Sequence, residues 1–192
     1  PPPLAVTGSS FHANSAEIAG GAVATDRELI VERSSFRRNV SNYGGALYQS
    51  DSAGFAIENS VFAENTAAID GGAVAASFLV HSSSIAFSTF YENRAAHADG
   101  KTLAVFVGPA SLALTDTIFS ESVTPIGAYA SAGNLTAENN LVTPAAALDL
   151  QNQMEGTPLF LDTARGDFRL VSGANVEGLA NGDAAVDIRR AA

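Results

Sequence analysis

The chain has 192 residues, 10 basic against 20 acidic side chains, a net charge of −10 and no cysteine. These numbers allow one sizeable domain and exclude disulfides and thiolate metal sites. They argue against a nucleic-acid partner, because phosphate contacts need clustered Lys and Arg, and no apolar run approaches the ~18 residues of a membrane-spanning helix.

The chain opens Pro1-Pro2-Pro3 without Met, and apolar patterning is already running at Leu4. That start leads us to expect a processed or excised segment, with a signal peptide removed and upstream repeats open to the same fate. From there a motif recurs. Phe11 and Asn14 lead to Gly20-Gly21-Ala22, Phe36 and Asn39 to Gly44-Gly45-Ala46, and Phe62 and Asn65 to Gly71-Gly72-Ala73. Phe90 and Asn93 lead to Asp99-Gly100, where Lys101 replaces the second Gly. The phenylalanines stand 25, 26 and 28 residues apart. A fixed period of this length marks a stacked solenoid rather than a domain with a private core.

The apolar residues choose the kind of solenoid. Leu29-Ile30-Val31, Phe55-Ala56-Ile57, Ile85-Ala86-Phe87 and Leu112-Ala113-Leu114 are short runs bounded by Gly, Asn, Ser and Asp. That is strand patterning, and no stretch sustains an i, i+3, i+4 apolar pattern. The fold expected is all-β: a right-handed parallel β-helix of six or seven rungs, with roughly 25–29 residues per rung. Equivalent residues then stack about 4.8 Å apart. Phe11, Phe36, Phe62, Phe90 and Phe119 are expected as an interior aromatic stack. Asn14, Asn39, Asn65 and Asn93 are expected as a carboxamide ladder that satisfies turn backbone. The Gly-Gly pairs supply a turn that side chains would obstruct.

Three regions follow in order. Residues 4–107 read as regular rungs. Residues 108–155 read as drifting rungs, where Phe119 persists, Ser122 takes the Asn position and the Gly-Gly is lost. Residues 1–155 thus form the β-helix, and residues 156–192 form an irregular C-terminal cap, since terminal repeats must hide an open apolar cross-section.

The Phe-x-x-Asn and Gly-Gly-Ala pattern resembles the repeat of chlamydial polymorphic outer membrane proteins and other bacterial surface β-helices. The segment Thr157-Pro158-Leu159-Phe160-Leu161-Asp162, then Arg165-Gly166-Asp167-Phe168-Arg169-Leu170, is similar to the close of "choice-of-anchor Q" proteins. Here Gly173-Ala174-Asn175-Val176-Glu177 departs from that family's final element, and the usual sorting tail is not visible in these 192 residues. The resemblance implies a bacterial protein, secreted or displayed at the cell surface, and no single activity.

Chemistry is sparse. Many β-helices act on acidic polysaccharides, so a lyase or glycosidase is the enzymatic alternative. Its candidate residues are Asp70 and Asp99 at equivalent turns, with Lys101 as base and His97 nearby, and calcium as the conceivable cofactor. Asp before Gly is also ordinary turn chemistry. No metal-ligand spacing of histidines exists; His12 and His81 read as surface residues. Arg165-Gly166-Asp167 spells an adhesion tripeptide, and Asn39 and Asn134 begin glycosylation sequons, though Asn39 should face inward. Tyr43, Tyr48, Tyr91 and Tyr129 are the aromatic residues expected to be partly exposed. The function expected is a non-enzymatic scaffold or subunit of a larger extracellular assembly, with a protein partner at the N-terminal end. Polysaccharide is the alternative ligand, and an adhesin binding glycan or a host receptor is the further alternative.

Overall fold

A computed structural model describes residues 1–50, 53–96, 102–107, 110–122, 126–128, 135–143, 154–155 and 157–171. Among them there is no α-helix, and the chain winds as a parallel β-helix with a four-sided cross-section. Side one stacks Leu4–Thr7, Leu29–Glu32, Phe55–Glu58, Ser83–Ala86, Leu112–Thr115 and Leu135–Glu138. Side two stacks Ser10–His12, Ser35–Arg37, Val61–Ala63, Thr89–Tyr91, Ile118–Ser120, Leu141–Thr143 and Met154–Glu155. Side three holds Val40–Tyr43, Thr66–Asp70 and Arg94–Ala95, joined by bridges from Ser15 and Ala19. Side four stacks Val23–Thr25, Leu47–Gln49, Val74–Leu79, Leu103–Val107 and Ile126–Ala128. The turns that start at Leu4, Leu29, Phe55 and Ser83 pass all four sides. Among the described residues the turn that starts at Leu112 shows sides one, two and four and the one that starts at Leu135 shows sides one and two, so about four turns are complete where six or seven rungs are expected. Equivalent residues are separated by 25, 26, 28, 29 and finally 23 positions, so the last described turn is shorter than the repeat foretells.

The core is a column of identical choices. Phe11, Phe36, Phe62, Phe90 and Phe119 stack with ring centroids 4.9, 4.9, 4.8 and 4.9 Å apart. Near-parallel rings at that spacing pack offset, the arrangement their quadrupoles favour. In the sixth turn Val142 takes the Phe place. Leu29, Val31, Ile57, Ile85, Leu112 and Leu114 from side one, and Leu47, Val74 and Leu103 from side four, close the interior.

In each of the first three turns three corners carry left-handed backbone, and each is solved differently. Arg33, Asn59, Phe87, Asp116 and Asn139 hold the corner between sides one and two at φ of 46° to 56°. Ala13, Arg38, Glu64 and Glu92 hold the next corner at φ of 49° to 57°. Such a conformation costs a non-glycine residue roughly 1–2 kcal/mol, and the following residue offsets it. Ser34, Ser60, Ser88, Thr117 and Asn140 accept, in succession, the N–H of the equivalent residue one turn earlier, at 3.0–3.4 Å. At the second corner the backbone N–H and side-chain amide of Asn39 both donate to Oδ1 of Asn65, at 3.0 and 2.9 Å. Asn65 donates in the same way to Asn93, at 3.1 and 2.8 Å. Each amide also reaches back to a carbonyl: Asn39 to Phe11, Asn65 to Phe36, Asn93 to Phe62. The third corner admits only glycine. A Cβ on Gly44 would lie 1.9 Å from the Leu47 carbonyl, and one on Gly45 would lie 2.1 Å from the Gly72 carbonyl of the next turn.

The ladder departs from expectation at its lower end. Ser122 is exposed, and the residue that receives Asn93 is Glu121. Ser120 pairs with Tyr91, so Glu121 follows the strand directly and no left-handed residue intervenes. The corner is one residue short, and the longer glutamate side chain bridges the difference.

Residues Phe160–Asp162 and Asp167–Leu170 form an antiparallel hairpin around a 3-10 turn, Thr163–Arg165. It lies along the outer flank of side two rather than across an end. Phe160 and Phe168 meet Tyr91 at 5.6 and 5.3 Å, over Val61, Ala63, Ile118 and Leu141. Residues 172–192 of the expected cap lie outside the described residues.

Candidate interaction site

The stack is sealed in its middle and open at its first turn. Phe36, Phe62, Phe90 and Phe119 are completely buried, while Phe11 is only half-buried. Asn39, Asn65 and Asn93 are completely buried, while Asn14 is exposed, which corrects the expectation of an interior Asn14. Asn14 still donates its N–H and its amide to Asn39, at 3.0 and 2.9 Å. In every later turn the Asn Oδ1 receives two donors from the turn above, so Oδ1 of Asn14 presents that same acceptor to the outside. Pro1, Pro2 and Pro3 are exposed, and Pro2 and Pro3 have no backbone N–H to donate. Leu4, Ala22 and Val23 complete a half-covered rim around Phe11.

A second apolar surface lies on side three. Ile18 is 72 % exposed, and Val40, Tyr43 and Ile69 are exposed beside it on the first three turns. Tyr43 pairs with Asp70 of the next turn. Tyr48 is half-buried and Tyr91 is packed under the hairpin, while Tyr129 lies outside the described residues.

The flank of side two is fixed by one arginine. Arg37 donates its Nε to Glu64 at 2.9 Å, and its Nη2 to the carbonyls of Thr163 and Ala164 at 2.9 and 3.1 Å. Arg38 donates to the same Glu64 oxygen at 2.8 Å. Partial burial alone would raise the Glu64 carboxyl, but the hydrogen bonds and charges of Arg38 and Arg37 hold it below the usual carboxylate range.

Of the residues proposed for polysaccharide chemistry, Asp70 alone lies among the described residues. Asp70 uses Oδ1 to accept the N–H of Gly71 at 2.9 Å, which steadies the glycine corner. His97, Asp99, Gly100 and Lys101 lie outside the described residues. Among the described residues no group of His, Asp and Glu forms a metal site. His12 and His81 are exposed. The Arg165-Gly166-Asp167 tripeptide is the tip of the hairpin. Gly166 turns there at φ 81°, and the Asp167 carboxylate is gripped by the Arg169 guanidinium at 2.8 and 2.5 Å. Asn39 is buried in the ladder, and Asn134 lies outside the described residues.

The first-corner ladder of Ser34, Ser60, Ser88 and Thr117 went unread in the sequence, although a hydroxyl residue precedes each Phe by two positions. No protein-family model, curated protein or solved structure matches the chain.

Proposed function

We propose that the chain is a non-enzymatic scaffold module: a secreted or surface-displayed bacterial β-helix that works as a subunit of a larger extracellular assembly. The observation that carries this reading is the continuous stack, in which Phe11, Phe36, Phe62, Phe90 and Phe119 lie 4.8–4.9 Å apart and the strands of successive turns pair in parallel register. An aromatic face and a carboxamide acceptor at strand spacing suit another turn of β-helix, which would place an apolar residue on Phe11 and two N–H donors on Asn14. The likeness of the repeat to bacterial surface β-helices supports the same reading, as does an acidic, cysteine-free composition. The module's contribution is stiffness: the first four turns are bonded to one another along four sides and through two side-chain ladders.

The test is sedimentation velocity of the isolated chain and of Phe11→Glu. The expected result is concentration-dependent association that Phe11→Glu abolishes. A parent chain that stays monomeric at every concentration, with a first turn as protected from hydrogen exchange as the second, overturns the reading. A panel of uronate polymers with calcium is the companion assay. Release of unsaturated product that disappears in Asp99→Ala or Lys101→Ala would move the assignment to a lyase.

A further inference from the structure

The hairpin of Phe160–Asp162 and Asp167–Leu170 is fastened to the β-helix unlike the turns beneath it. It forms a two-stranded sheet of its own and pairs with no strand of side two. Among the described residues, its polar links to the helix are the two bonds from Arg37 to the carbonyls of Thr163 and Ala164, both at the tip. The rest of the contact is apolar. Phe160 and Leu170 rest on Ile118 and Leu141, and Phe160 and Phe168 rest on Val61, Ala63 and Tyr91.

One residue under the hairpin is out of place. Thr89 pairs in register with Val61 above it and Ile118 below it, so it lies between two residues that the hairpin covers. It points outward, since Phe90 beside it points into the aromatic stack. Thr89 is wholly buried, and its Oγ1 has no hydrogen-bond partner. Val61, Ile118 and Leu141 hold the equivalent place on other turns with no polar side-chain atom to satisfy. A hydroxyl sealed in this way costs the closed state the water it would otherwise bind. Lifting the hairpin returns that water, while every strand pairing of the helix stays made.

We infer that the hairpin is a releasable strap over side two: held by its aromatic contacts and by Arg37, opposed by the unpartnered Thr89 hydroxyl, and able to lift without unfolding the helix. Separate opening is the expected behaviour of an element that shares apolar contact but no strand pairing with the body it covers. The opened face presents Val61, Ala63, Tyr91, Ile118 and Leu141 on four consecutive turns. An apolar face of that extent is prone to associate when it is bare, so the strap keeps it covered until it is released.

The chain has no cysteine, so a single introduced thiol reports opening cleanly. Ala63→Cys places one beneath the strap and Val31→Cys places one inside the helix, both at wholly buried sites. Their reaction with a thiol reagent is followed at low urea concentrations, with and without Thr89→Val. Ala63→Cys is expected to react at a rate that barely changes with urea. Val31→Cys is expected to react slowly and to climb steeply, because only that site needs the whole helix to open. Thr89→Val removes the hydroxyl and keeps the shape, and is expected to slow Ala63→Cys about tenfold. Equal urea dependence of the two thiols, or labelling of Ala63→Cys that Thr89→Val leaves unchanged or speeds, would overturn the inference. If a thiol variant does not fold, hydrogen exchange at the Val171 N–H, bonded to the Leu159 carbonyl at 2.8 Å, is compared between the parent and Thr89→Val. Slower exchange in Thr89→Val supports the strap, and an unchanged rate counts against it.

Discussion

Phe11 and Phe36 occupy the same place in the repeat, with rings 4.9 Å apart and planes within 1° of parallel. Yet Phe36 is wholly buried and Phe11 is not. The same holds for Asn14 against Asn39. In a solenoid the sequence of one turn dictates its shape, but the turns above and below dictate what each residue contributes. The first turn is folded like its neighbours and stabilised from one side only. Pairs of substitutions, one in an inner turn and one at the edge, therefore test how far the energetics follow position rather than residue type.

Glycine gives the largest expected contrast. Gly45→Ala would drive a Cβ into the Gly72 carbonyl and the Thr66 backbone, and backbone cannot move aside without parting the turns. We expect a chain that fails to fold, or loses more than about 4 kcal/mol. Gly8→Ala, at the edge, meets nothing within 4 Å and suffers only from its φ of 56°, which costs about 1 kcal/mol. Comparable unfolding midpoints for the two variants would show that the third corner is not tight.

The aromatic stack comes next. Phe62→Ala leaves a cavity walled by Phe36 and Phe90 and is expected to cost about 4 kcal/mol. Phe11→Ala removes a ring that is covered on one face, with an expected cost of about half that. Denaturant midpoints decide it, and equal losses would mean that the first turn is capped in solution.

The ladder follows. Asn65→Leu strands the N–H and amide of Asn39 and the carbonyl of Phe36 in the interior, at an expected cost of about 3 kcal/mol. Asn14→Leu strands nothing that water cannot reach and should cost under about 1 kcal/mol. An Asn65→Leu chain that unfolds at the parental midpoint would refute the ladder's energetic role.

Much of this was legible because a solenoid repeats its constraints. Phe, Asn and Gly recur at fixed places, and one physical reason serves every turn: stacking, backbone satisfaction, and absence of room for a Cβ. Glu121 was not legible, because the corner had lost a residue and counting three from Phe119 lands on Ser122. Only the geometry shows a longer side chain compensating for a shorter backbone. The sequence leads one to expect an end cap over residues 156–192, since an open apolar cross-section demands cover. Its described part instead covers Tyr91, Val61 and Ile118, outward apolar residues of side two that break the alternation of a solvent-facing strand. The interaction site was the hardest to read, because exposure of Phe11 depends on what lies above it and no residue type records that.

The smallest expected effect concerns the flank, where the second turn does something the first cannot. His12 and Arg37 are paired neighbours on side two, but only Arg37 reaches the hairpin carbonyls. Its side chain is 14 % exposed, against 51 % for Arg38 on the same carboxylate. Arg37→Ala should therefore cost about 1–2 kcal/mol by leaving the Thr163 and Ala164 carbonyls without their charged donor. Arg38→Ala should cost almost nothing, as exposed ion pairs do. Hydrogen exchange at the Val171 N–H, which donates to the Leu159 carbonyl at 2.8 Å, reports the hairpin directly and should quicken in Arg37→Ala alone. Acid should mimic the substitution. The Glu64 carboxyl is held below its ordinary value in the folded chain, so its support for Arg37 is present above about 4.5 and is lost as pH falls through the folded value. If Arg38→Ala loosens Val171 as much as Arg37→Ala does, the carboxylate and not the arginine is what holds the hairpin in place.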